Sequence, residues 1–82
     1  MDLVLLTDTI VKSLVTNKEM VSVKEFETDE ENTILIQVMV SSDDMGRVIG
    51  KAGKIANALR TLVQASSYLD NNRRVRINVD SF

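Results

Sequence analysis

An α+β domain of two layers, three helices covering one face of a three-stranded sheet, is the architecture this sequence predicts. Three observations carry it. Apolar residues keep helical spacing over 2–16, alternate over 33–40 and 73–79, and return to helical spacing after Gly53. The resulting order is helix, strand, strand, helix, helix, strand, in which one apolar sheet face needs one covering layer. The length of 82 residues suits one core, hence a single domain over 1–82 with no linker, repeat or low-complexity segment.

Each element follows from its residues. Over 2–16, Leu3, Leu6, Ile10 and Leu14, joined by Val4, Val11 and Val15, make a wide apolar face, and Asp2, Asp8, Lys12 and Ser13 point away. Asn17-Lys18-Glu19 breaks that pattern, and residues 20–27 read as a strand with imperfect alternation. Thr28 to Asn32 is an acidic turn. Thr33 to Val40 is the clearest strand, β-branched and alternating, with Ile34, Ile36, Val38 and Val40 on its more apolar face.

Ser41-Ser42-Asp43-Asp44 offers cap oxygens and first-turn acids to a short helix over about 43–49, which Gly50 ends. Gly46 reads as a position that permits tight helix packing. After Gly53, the spacing of Ile55, Leu59, Leu62, Val63 and Ser66 predicts a longer helix to about Tyr68, with Asn57, Arg60, Thr61 and Gln64 on its wet side. Asp70-Asn71-Asn72 makes a turn, and Val75, Ile77 and Val79 point inward from a last strand over 73–79.

Composition removes several function classes. Without cysteine there is no disulfide, zinc–thiolate site or thiol nucleophile, and without histidine the usual general base is missing. The expectation is a non-enzymatic protein with no cofactor, no metal and no small-molecule substrate. A P-loop would need Gly-x-x-x-x-Gly-Lys-Ser/Thr, but Gly46 to Gly50-Lys51 is one residue short and Ala52 has no hydroxyl. Asp29-Glu30-Glu31 reads as a solvated hairpin tip. No apolar run approaches the roughly 20 residues of a membrane span, and the start lacks the basic region of a signal peptide. A cytoplasmic location is the plain expectation.

The net charge of −2 hides a polarised chain. Residues 1–44 carry three lysines against ten acids, a balance of −7, whereas residues 45–82 carry seven basic residues against two acids, a balance of +5. Within the basic half stands Val48-Ile49-Gly50-Lys51-Ala52-Gly53-Lys54-Ile55. Two glycines three apart let backbone approach a partner without an intervening Cβ. Lys51 and Lys54 make the approach cationic, and the helix start beyond Gly53 contributes amide donors and a positive dipole end. Together these describe a seat for the phosphates of a polyanion.

Held between two helices in αββααβ order, Gly50-Lys51-Ala52-Gly53 resembles the loop of a KH domain of bacterial, type II topology. The stretch from Gly46 to Ala56, followed by Ala58 to Val63, is similar to the core of small bacterial single-KH-domain RNA-binding proteins, the KhpA/YlqC type. The resemblance covers essentially the whole chain and implies a mixed three-stranded sheet with the helices on one face. It also implies single-stranded RNA binding, in which the loop clamps the backbone of about four nucleotides beside an apolar groove. On this sequence Gly50 and Gly53 would shape the loop, Lys51, Ala52 and Lys54 would face phosphates, and Arg47 would add a further contact. Ile49, Ile55 and one edge of the 34–40 strand would line the groove.

The resemblance further implies a role as an RNA chaperone or post-transcriptional regulator linked to cell elongation and division. Homodimers, or pairing with a larger multi-domain RNA-binding protein that carries its own KH domain, are implied partners. An alternative stays open, a dimerising interaction module of the same fold with weak or no RNA binding, suggested by apolar residues on more than one face. Ile49, Ile55, Leu59 and Leu62 also read as core, and Tyr68 as a packing residue. Arg73, Arg74 and Arg76 read equally as a solvated strand face or an auxiliary surface.

Overall fold

The structure, a computed structural model, describes residues 2–70 and 72–82. Met1, and Asn71 in the middle of the expected Asp70–Asn72 turn, lie outside the described residues. The elements run α1 (Leu3–Leu14), β1 (Ser22–Glu27), β2 (Thr33–Val40), α2 (Met45–Ile49), α3 (Lys54–Asp70) and β3 (Arg74–Ser81). Short 3-10 turns at Lys18–Met20, Ser42–Asp44 and Lys51–Gly53 join them. Fold class and element order are those expected, with the first strand two residues shorter because Met20 belongs to a 3-10 turn.

The sheet is mixed, in the order β1-β2-β3. β2 pairs antiparallel with β1, Ser22 opposite Met39, and parallel with β3, Thr33 opposite Arg74. The parallel pair requires a crossover, which α2 and α3 provide. Ile34, Ile36, Val38 and Val40 are buried on one β2 face, as their alternation demands. Four such side chains contribute roughly 1.5–3 kcal/mol each to burial, an upper bound against an extended chain. They share one core with Leu3, Val11, Val15, Val48, Leu59, Val63 and Ile77.

Two helices turn differently from the expectation. α1 buries Leu3, Thr7 and Val11, continued by Val15 just past its end, while Leu6 and Ile10 only pack alongside. A threonine can occupy that centre because its hydroxyl donates to Leu3 O at 2.7 Å, leaving its methyl to the core. α3 buries Ala56, Leu59, Val63 and Ser67, so Leu62 and Ile55, both expected as core, are exposed. The long row at three- and four-residue steps from Ala56 faces the sheet, and the Ser67 hydroxyl donates to Arg73 O at 2.7 Å. Gly46 is exposed, with open space where a Cβ would stand, so it is no packing contact.

Candidate nucleic-acid interface

α2 has five residues, too short to persist alone, and its placement comes from what precedes it. Ser41 supplies the expected cap, its hydroxyl accepting from Asp43 N–H at 3.4 Å. Asp44 does something else. Its buried carboxylate reaches the end of α1, accepting from Thr16 N–H at 3.0 Å, Thr16 Oγ1–H at 2.9 Å and Asn17 N–H at 3.0 Å. The Arg47 guanidinium lies 3.7 Å away. The backbone amides of Thr16 and Asn17 hold its pKa below the usual carboxylate range, helped by the Thr16 hydroxyl and Arg47 and opposed by desolvation. From the sequence Asp44 reads as a cap or first-turn acid of its own helix, because its partners are 27 and 28 residues away.

Beyond Val48, which is buried, the chain turns outward. Gly50 closes α2, its N–H donating to Gly46 O at 2.9 Å, with φ 75° and ψ 174°. A Cβ on Gly50 would stand 2.6 Å from Ile55 Cγ1, so both the dihedrals and the space require glycine. Gly53 also has φ 75°, and its N–H donates to Gly50 O at 3.2 Å. Between them Ala52 sits in the left-handed region at φ 57°, ψ 26°, which costs a residue with a Cβ on the order of 1 kcal/mol. These bonds engage the amides of Gly50, Gly53 and Lys54, and not those of Lys51 and Ala52. Lys51, Ala52 and Lys54 are exposed; Gly50, Gly53 and Ile49 are half-buried; Arg47 is exposed while paired to Asp44.

The sheet topology decides which strand edge lies beside α3. β2 is hydrogen-bonded on both sides, so it offers no free edge; the strand edge beside α3 belongs to β3. There an open groove of about 750 Å³ runs between α3 and β3, lined by Arg60, Gln64 and Tyr68 against Arg74, Arg76 and Ile77, among others. Arg60 is held by donating to Ile77 O at 3.3 Å and Asn57 Oδ1 at 3.1 Å. Gln64 clamps the strand start, accepting from Val75 N–H at 2.8 Å and donating to Arg73 O at 2.9 Å. So Gln64, expected on the wet side, is half-buried, while Tyr68 stands exposed on the rim. Arg73 and Arg76 pair with Glu27 and Glu30 at 3.6 and 2.8 Å. The sequence signal for the groove was the polar row Asn57, Arg60, Thr61, Gln64, which needed β3 opposite it to become a wall.

The αββααβ order, the mixed sheet and a glycine-paired loop between two helices define a KH domain of type II topology. Comparison makes the assignment narrower. The chain belongs to the family whose model is described as KhpA/KhpB, KH domain, which matches residues 5–79. It is 43% identical over 74 residues to the RNA-binding protein KhpA of Caldanaerobacter subterraneus subsp. tengcongensis, covering 90% of this chain and 95% of that one. It is 44% identical over 70 residues to KhpA of Clostridium perfringens, covering 85% and 91%. Among solved structures, Era of Aquifex aeolicus superposes with a TM-score of 0.61 at 21% identity. That match covers 99% of this chain but only 31% of the Era chain, and it speaks to the fold alone.

Proposed function

We propose that this protein binds single-stranded RNA, residues 1–82 acting as one domain that grips the backbone at Gly50–Gly53 and lodges bases in the α3–β3 groove. The observation that carries the reading is the loop itself. It combines two positive-φ glycines, a side-chain-poor approach and Lys51 and Lys54 in the open, and it leads into α3, one wall of a groove carrying three arginines. Cationic side chains and backbone amides neutralise phosphates, whereas the flat groove wall of Ile77, Val75 and Tyr68 suits base faces. Family membership supports the same reading, since relatives are named RNA-binding proteins. With Phe26, Tyr68 and Phe82 as the only aromatics, recognition rests on backbone clamping more than on stacking.

In this account Arg47 exchanges its long contact with the Asp44 carboxylate for a phosphate, and Ile49 and Ile55 support the loop from beneath. The protein acts without a cofactor in the cytoplasm, as an RNA chaperone or post-transcriptional regulator of cell elongation and division, paired with itself or with a larger KH-containing protein. Fluorescence anisotropy of a labelled single-stranded RNA across salt concentrations tests the clamp. Neutralising about three phosphates predicts that log K falls with log salt at a slope of roughly −2. A salt-independent affinity would leave only the interaction-module reading.

A further inference from the structure

The polar residues with which α3 walls the groove differ in what they still have to offer. Gln64 has its amide fork engaged by β3, the oxygen accepting from Val75 N–H and the nitrogen donating to Arg73 O. In a parallel ladder one residue of the next strand makes that same pair of bonds, so Gln64 stands in for a further strand. The Thr61 hydroxyl donates to Asn57 O at 3.0 Å, within its own helix. Arg60 is different. Its Nε–H donates to Ile77 O and one Nη1–H to Asn57 Oδ1. A guanidinium carries five N–H donors, so with two engaged three remain, both on Nη2 among them. Arg73 and Arg76 face carboxylates at Glu27 and Glu30; among the described residues Arg60 has no such partner. It is exposed, yet a strand carbonyl and a helix side chain hold its plane in place. A fork already fixed loses little freedom on binding.

We propose that Arg60 is the specificity-determining residue of the groove, selecting a base that carries two adjacent hydrogen-bond acceptors. Guanine offers such a pair in O6 and N7, cytosine in O2 and N3. The inference rests on the reading given above, that bases lodge between α3 and β3. A guanidinium only donates, and two parallel N–H bonds need two acceptors side by side. Adenine sets its N6 amino group beside both N7 and N1, and uracil sets N3–H between O2 and O4. Each of those edges turns a donor toward the fork. The side chain suited to adenine is Gln64, because a carboxamide matches N6 and N7 together. Its fork is already taken by β3, so the wall presents the donor pair and withholds the mixed one.

The loop and Arg60 act on one strand because one helix carries both. α3 runs unbroken from Lys54 to Asp70, and Arg60 stands six residues after Lys54, about 9 Å along the axis. A strand gripped by its phosphates at Gly50–Gly53 therefore passes Arg60 within a few nucleotides. Phosphate contacts set the register and carry no sequence information, whereas the Arg60 contact with a base edge does.

The test is fluorescence anisotropy with short labelled oligouridines in which one central uridine is kept or replaced by guanosine, cytidine or adenosine. The wild type is expected to bind the guanosine or the cytidine strand about tenfold more tightly than the adenosine and uridine strands. Two modified bases tell the sources apart on the unaltered protein. 7-Deazaguanosine lacks the N7 acceptor and 3-deazacytidine the N3 acceptor, and the one that abolishes the preference names the base. Arg60→Lys keeps the positive charge and loses the fork. With far-UV circular dichroism showing it folded, its ratio between the preferred strand and the adenosine strand is expected to fall to within about twofold. A preference that survives in folded Arg60→Lys, or that neither modified base removes, overturns the proposal. So does a preference for adenosine or uridine. Salt-sensitive binding of all four strands within about twofold overturns it too and leaves the backbone clamp standing. Binding of no strand at all overturns this inference and the RNA reading together.

Discussion

At the start of α2 the Asp44 carboxylate is enclosed and holds three donors from the end of α1, whereas one helix length later the chain at Gly50–Gly53 is open and turns through three positive-φ residues. Five residues of helix separate a tightly tied end from an unencumbered one. The contrast is mechanically sensible. A loop that must lie against a flexible polyanion cannot also be packed against its own domain, so its position is set from behind. Asp44 fixes where α2 starts, Val48 pins it to the core, and the fixed helix presents the loop.

The sharpest way to break the open end is Gly50→Val. It places a branched side chain at φ 75° and 2.6 Å from Ile55 Cγ1, combining left-handed strain with overpacking for a loss of about 3 kcal/mol in urea unfolding. Next comes Lys51→Asp with Ala52→Asp. Both positions are exposed, so helicity should persist while RNA affinity by anisotropy falls on the order of a hundredfold, about 2.7 kcal/mol. Loss of helicity in that variant would show that the loop is structural.

Asp44→Asn probes the tied end, since one carboxylate oxygen is replaced by a donor facing the Asn17 N–H. The melting temperature is expected to fall at neutral pH, and the sign of its pH dependence follows from the lowered pKa. Asp44 contributes its stability in full above the ordinary value of 3.8 and loses it as pH falls through the lower folded value. The gap in melting temperature between wild type and Asp44→Asn should therefore close below about pH 3.8. A gap that is constant with pH would mean the carboxylate's charge is not what ties α2. The smallest effect belongs to Ala52→Gly. Relief of the left-handed strain is offset by the greater freedom of glycine in the unfolded chain, leaving a net change within about 0.5 kcal/mol by urea unfolding.

Much of this was legible in the residues. The strand from Thr33 to Val40 matched its expected bounds because alternation and β-branching agree there, and the Gly50 cap was readable because few residues other than glycine adopt its dihedrals. Local patterns fail where a distant partner decides. Asp44 meets residues far back in the chain, and β2 lost its expected free edge only once β3 paired beside it. Leu62 reads as core from the sequence because apolar spacing on α3 fits two stripes, and composition alone cannot say which one the sheet takes. Exposed apolar side chains stand on more than one face, Leu5 on α1, Phe26 on β1 and Ile55, Leu62 and Leu69 on α3.

The most direct measurement of the central claim is a map of backbone amide shifts in 15N-labelled protein titrated with a single-stranded oligoribonucleotide. The largest changes are expected to cluster at Arg47 and Gly50–Lys54, continuing along Arg60, Gln64 and Arg74–Ile77. Changes concentrated on the open sheet face around Phe26, Leu35 and Met39, with the Gly50–Gly53 loop silent, would contradict it.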